Sequence, residues 1–351
     1  MVVEEENRSM EEGLLQHQND RDDRRITACV ILSTFVAVCS AFSYGCAAGY
    51  TSGAETAIMK ELDLSMAQFS AFGSFLNVGG AVGALFSGQL AVILGRRRTL
   101  WACDFFCVFG WLSIAFAKNV FWLDLGRISL GIGVGLISYV VPVYIAEITP
   151  KHVRGAFTAS NQLLQNSGVS LIYFFGTVIN WRVMAVIGAI PCILQTIGIF
   201  FIPESPRWLA KIRLSKEVES SLHRLRGKDT DVSGEAAEIQ VMTKMLEEDS
   251  KSSFSDMFQK KYRRTLVVGI GLMLIQQLSG ASGFSERLGS MIFGVFVIPK
   301  ALVGLILVDR WGRRPLLLAS AVGMSIGSLL IGVSFTLQVT LVEFLYWTNM
   351  R

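Results

Sequence analysis

The stretches LAVILGRRRTL (residues 90–100) and LVDRWGRRPLL (residues 307–317) repeat one pattern: an apolar run, Gly-Arg-Arg, and a second apolar run. Gly95 and Gly312 mark the same place in each, an offset of 217 residues. Around both motifs the apolar character continues. Of 351 residues, 52% are hydrophobic and only 17% charged, and the mean hydropathy is +0.48. The apolar residues gather in blocks near the length of about 20 that carries an α-helix across the hydrocarbon core. Nine spans are expected: Ile26–Tyr50, Phe69–Leu94, Leu100–Ala117, Leu123–Ala146, Phe157–Ile179, Val183–Ile202, Leu266–Phe284, Met291–Val308 and Leu316–Leu337. The fold class is therefore an all-α multi-pass membrane protein, with the lipid bilayer as its solvent.

The repeat divides the chain. A polar tail (1–25) has no cleavable signal character. After it come a six-helix bundle (26–202), a charged linker with two amphipathic helices (203–264), three further helices (265–337) and a short divergent tail (338–351). Two parallel halves around a central linker are a transporter pattern, with a substrate held between the repeats at the membrane midplane. On this reading the six-helix N-terminal bundle is complete. The C-terminal half, with three spans, is incomplete and the chain is truncated. Basic residues concentrate on one side: 25 of the 32 Lys and Arg fall in the N-terminal tail and alternate loops. That bias places the N-terminus, both Gly-Arg-Arg clusters and the linker in the cytoplasm.

All six cysteines lie inside apolar spans and read as small buried residues, not disulfides or metal ligands. No Ser-His-Asp constellation, metal-spaced cluster or phosphate loop occurs, so no enzyme and no cofactor is expected. The net charge of +4 resides in loops between spans and implies no nucleic acid.

Three groups of polar residues demand an explanation. Gln162, Gln276 and Gln277 fall inside spans, where an amide either joins helices or faces a wet cavity. Arg127 and Lys300 are cations inside spans. Asp124, three residues before Arg127, offers a local partner; a partner from another span is the alternative. The Gly-Arg-Arg clusters either set topology or pair with carboxylates at the rim. EEGLL (11–15) has the form of a dileucine sorting signal or of an ordinary solvated tail.

GRRR (95–98), GIGVG (131–135), PVYIAEITPKHVRG (142–155), PESPRWL (203–209), QQLSG (276–280) and DRWGRR (309–314) together resemble the sugar porter family of the major facilitator superfamily. The similarity is to its plant branch of early-dehydration-responsive-like monosaccharide transporters. The resemblance implies the major facilitator fold and a monosaccharide substrate, most naturally a hexose. It implies that Gln162, Gln276, Gln277 and Ser282 contact the sugar, Ser282 standing where many members have Asn. It implies a gating salt-bridge network of Arg96, Arg97, Glu147, Arg154, Glu204 and Arg207, repeated in the second half by Asp309, Arg313 and Arg314. Val92 stands where the first copy in the family usually has Asp. Thr51 stands where proton-coupled relatives supply Asp to Arg127, which favours facilitated diffusion. The resemblance favours the vacuolar membrane over the plasma membrane. The alternative is a non-transporting truncated isoform that associates with full-length relatives and regulates them.

Overall fold

Capping side chains mark where four of the long helices begin. In a computed structural model that describes residues 26–176, 178–227 and 230–249, with scattered positions between 267 and 329, every described secondary-structure element is helical. Six long helices come first: α1 (Ala28–Glu61), α2 (Met66–Ile93), α3 (Arg96–Ala115), α4 (Val120–Ile148), α5 (Arg154–Phe175) and α6 (Trp181–Gly198). Thr27, Ser65, Asn119 and Asn180 turn side-chain oxygens back onto the first-turn amides of α1, α2, α4 and α6. Ser65 and Gln68 complete a reciprocal capping box. Three shorter helices come next: α7 (Pro206–Lys211), α8 (Ser215–Arg226) and α9 (Ser233–Asp249).

Five of the six long helices are long and apolar enough to cross a membrane. The exception, α5, has sufficient length at 22 residues, but Asn161, Gln162, Gln165 and Asn166 interrupt its apolar character. The first span differs from the sequence expectation. Its helix does not stop at Tyr50 but continues to Glu61, because Ala54 and Ile58 are fully buried against the bundle. Large apolar side chains such as Leu85, Phe105 and Phe116 point outward, as expected where the solvent is hydrocarbon. The six cysteines are free; Cys46, Cys103, Cys107 and Cys192 are buried, whereas Cys29 and Cys39 are half-exposed.

Inside the bundle α4 is central, packing against α2 and α3, while α1 packs against α5 and α6. Hydrophobic burial gives little drive between helices in lipid, so close backbone approach must supply the contact. Glycine permits it. A Cβ at Gly79, Gly83, Gly131 or Gly135 would collide with main-chain atoms of the facing helix, and Gly45 and Gly168 form the same seam between α1 and α5. Polar staples add to the seams: Trp111 Nε1 donates to Ser43 Oγ at 2.9 Å, and Ser43 Oγ donates to the Gly188 carbonyl at 2.9 Å.

The linker helices α7–α9 belong to the same compact unit as the bundle. Val218, Leu222 and Leu225 form the buried face of α8, while Leu209, Val232 and Ala236 are buried beside it. Described residues between 302 and 329 belong to a second unit and are helical. Most of the seventh to ninth expected spans lies outside the described residues.

Replacing Gly83 by Leu should push α2 off α4. A cost of at least about 1–3 kcal/mol is expected from overpacking. Fluorescence-detected size exclusion after heating should show a lower melting midpoint, whereas Gly88→Leu, with open space around its Cα, should leave the midpoint near that of the parent.

Candidate functional site: an arginine rim and two buried polar positions

The first Gly-Arg-Arg motif is a helix start. Gly95 sits at φ 88°, a conformation open to glycine, and this turn lets α2 end and α3 begin. A Cβ at Gly95 would lie 2.8 Å from Glu204 Oε2 and 3.1 Å from the Trp208 ring. The space is needed because Glu204 caps α3. Its carboxylate accepts from the backbone amides of Arg96 (3.1 Å), Arg97 (3.1 and 3.2 Å) and Ser205 (2.9 Å). An anion belongs at a helix N-terminus, where unpaired amides and the helix dipole converge.

Of the residues expected in one network, Arg96 and Glu147 meet, as a bidentate fork with Nε and Nη2 each 2.8 Å from a carboxylate oxygen. Both side chains are only 11% exposed. Its remaining nitrogen, Nη1, donates to the Ala91 carbonyl at 3.1 Å, near the end of α2. Glu147 also accepts from Ser205 Oγ at 2.6 Å.

Other parts of the expected network are arranged differently. The Arg97 side chain does not meet a carboxylate; Nε donates to the Ile199 carbonyl at 2.8 Å and Nη2 to that of Phe200 at 3.4 Å, at the end of α6. Glu204 meets the main chain of Arg96 and Arg97 rather than their guanidinium groups. Arg154 and Arg207 form no hydrogen bond or ion pair among the described residues. Arg154 is repelled by Arg207 and Arg226 and attracted by Glu235. Two further participants carry no residue-type signal in the sequence. Arg226 binds Glu235 through Nε (3.0 Å) and Nη2 (2.8 Å) and donates from Nη1 to the Ile148 carbonyl at 3.0 Å, the end of α4. Trp208 Nε1 donates to the Val92 carbonyl at 2.8 Å. The last carbonyls of α2, α4 and α6 thus each find an arginine or an indole. Asp309, Arg313, Arg314 and Lys300 lie outside the described residues.

Arg127, on α4, is fully buried. It donates to the Thr51 hydroxyl of α1 and lies over the Phe72 ring, 4.8 Å from its centroid, and the Tyr50 ring at 5.7 Å. The Asp124 pairing does not form: Asp124 Oδ1 and Arg127 Nε and Nη1 have no hydrogen-bond partner among the described residues.

The amides separate into two kinds. Gln195 is the one that joins helices; fully buried on α6, its Oε1 accepts from Ser40 N of α1 at 2.7 Å. Gln162 is exposed on α5, and its Nε2 donates only along its own helix, to Asn166 Oδ1 at 3.2 Å. Gln276, Gln277 and Ser282 lie outside the described residues.

Long apolar helices closed by a charged rim are the architecture of a multi-pass membrane protein. The fold of the xylose transporter XylE from E. coli in its inward-open conformation matches 85% of this chain and 73% of that one, with a TM-score of 0.69 at 23% identity. Residues 25–345 match the family described as Sugar (and other) transporter. The Arabidopsis thaliana proteins named Sugar transporter ERD6-like 11 and ERD6-like 10 are 96% and 88% identical to it. They align with 96% and 94% of this chain, which spans 75% of the length of each. The chain belongs to the sugar transporter family, in its ERD6-like branch: a multi-pass membrane transporter and not an enzyme.

The rim generates two testable outcomes. Glu147→Gln leaves Arg96 without its counter-charge in a largely dry site, and should cost on the order of 2–4 kcal/mol. The exchange Arg96→Glu with Glu147→Arg should not restore the melting midpoint, because Arg96 also serves the Ala91 carbonyl. Burial raises the Glu204 pKa above its ordinary 4.5, against the opposing amide hydrogen bonds. The folded chain therefore holds this proton more tightly than the unfolded chain. The stabilisation that this proton brings is complete below pH 4.5 and is lost as pH rises through the folded value. Thermal denaturation across that window should show a shallower decline with rising pH in Glu204→Gln than in the parent.

Proposed function

We propose that this chain carries a monosaccharide, a hexose, across a membrane by alternating access and without proton coupling. Membership of the sugar transporter family supports the substrate class. The single observation that carries the coupling assignment is the partner of Arg127. A hydroxyl, Thr51, receives its hydrogen bond, and a hydroxyl neither gains nor loses charge in the physiological range. A carboxylate in that place would change charge during each cycle; Thr51 does not.

Gln162 is the sugar contact on the first half. An amide both donates and accepts, as a sugar hydroxyl does, and one left exposed at membrane depth needs an aqueous face rather than lipid. Gln276, Gln277 and Ser282 supply the other half of the site. Arg96, Arg97, Glu147 and Glu204 hold the rim closed in one state, with Asp309, Arg313 and Arg314 as their counterparts. The rim faces the cytoplasm and the chain resides in the vacuolar membrane.

Proteoliposomes containing only this chain should take up radiolabelled glucose down its gradient. An imposed proton gradient should change the initial rate less than about twofold, and Gln162→Ala or Gln277→Ala should lower it about tenfold or more, the scale of one or two lost hydrogen bonds in a closed site. Accumulation driven by protons would refute the coupling assignment. Full activity in both glutamine variants would refute the site.

A further inference from the structure

We infer that the open cavity lined by the starts of α3 and α5, the end of α4 and the linker helices α7, α8 and α9 binds a ligand carrying two or more phosphate groups. The cavity has a volume of about 430 Å³, within the range of small-molecule sites and larger than a single inorganic phosphate needs. Six cations and three carboxylates line it. Each carboxylate already has a cationic partner: Glu147 with Arg96 at 2.8 Å, Glu235 with Arg226 at 2.8 Å, and Glu238 with Lys151 at 2.7 Å. Arg154, Arg207 and Lys211 remain, with neither hydrogen bond nor ion pair among the described residues.

Arg154 is the telling member. Its Nε is closed off from solvent without a partner, and the Arg207 and Arg226 guanidinium groups repel it while Glu235, already paired with Arg226, attracts it. Arg207 and Lys211 are exposed and Arg154 is half-buried, so water solvates them in the absence of a ligand, and an anion that bridges them relieves a repulsion no protein group offsets by contact. The same residue opens α5, a helix whose N-terminus has no side-chain cap, so free main-chain amides reinforce the demand for negative charge. Arginine suits phosphate because its planar fork donates to two oxygens at once. Ile239 and Met242 supply an apolar wall for the carbon body of the ligand. That body is either the inositol ring of a phosphoinositide headgroup or the organic part of a soluble polyphosphate. The chemistry recognised is the same in both.

The full chain, reconstituted in phosphatidylcholine nanodiscs, distinguishes these sources. One arm titrates inositol trisphosphate by calorimetry. The other compares thermal stability in nanodiscs with and without a phosphoinositide. Binding in the first arm only identifies a soluble ligand, a shift in the second only identifies a lipid headgroup, and both together identify the shared chemistry. Arg207→Ala combined with Lys211→Ala should weaken binding about tenfold or more. Glu238→Gln removes a carboxylate from the wall and releases Lys151, and should strengthen it about threefold, a gain that misfolding cannot produce. Lys118→Ala should leave it unchanged. Absence of binding in both arms, or affinities that neither Glu238→Gln nor the double variant moves, would overturn the inference.

Discussion

The last carbonyl groups of a membrane helix have no partner within the helix, and at the edge of a bilayer they must find one. The first half of this molecule is organised around that requirement. Ala91, Ile148 and Ile199 each offer such a carbonyl, and Arg96, Arg226 and Arg97 supply the donors. Because each arginine lies on a different element from the carbonyl it serves, satisfying the backbone also ties α3 to α2, α3 to α6, and α8 to α4. Glu147, Glu204 and Glu235 then balance the charge. The rim is thus one connected solution to a backbone problem, rather than a set of separate ion pairs.

This constraint explains what could and could not be read from the sequence. Hydropathy located the six long helices, because twenty apolar residues in a row have few other uses. The GRRR and PVYIAEITPKHVRG motifs led to Arg96 and Glu147. Arg226 and Trp208 were not legible, since each spends a hydrogen bond on a main-chain carbonyl, and no residue type marks a carbonyl that lacks a partner. Within the expected network, the role of Glu204 was not legible for the related reason that it binds amides, leaving the Arg97 guanidinium to serve α6. The extension of α1 to Glu61 escaped hydropathy because its buried positions, Ala54 and Ile58, alternate with polar residues that suggest a loop.

Arg127 illustrates the limit of spacing arguments. Asp124 stands one helical turn away, the ordinary distance for a local pair, yet the cation turns instead to Thr51 and two aromatic rings. Burial on α4 directs the side chain inward to α1 and α2, and sequence distance alone does not contain that direction. Gln162 and Gln195 make the same point. Both are amides inside apolar helices; one bonds a neighbouring helix and the other does not.

The opposite end of the bundle has a fastening of its own. Glu61 accepts from Trp181 Nε1 at 2.6 Å and from Arg182 at 3.1 and 3.2 Å, and Arg182 reaches the Ala115 carbonyl at 2.9 Å. With glycine seams along its length and a fastening at each end, the bundle resists shear and bending alike. A displacement of one helix must then be shared by its neighbours, through the glycine seams and through both fastenings.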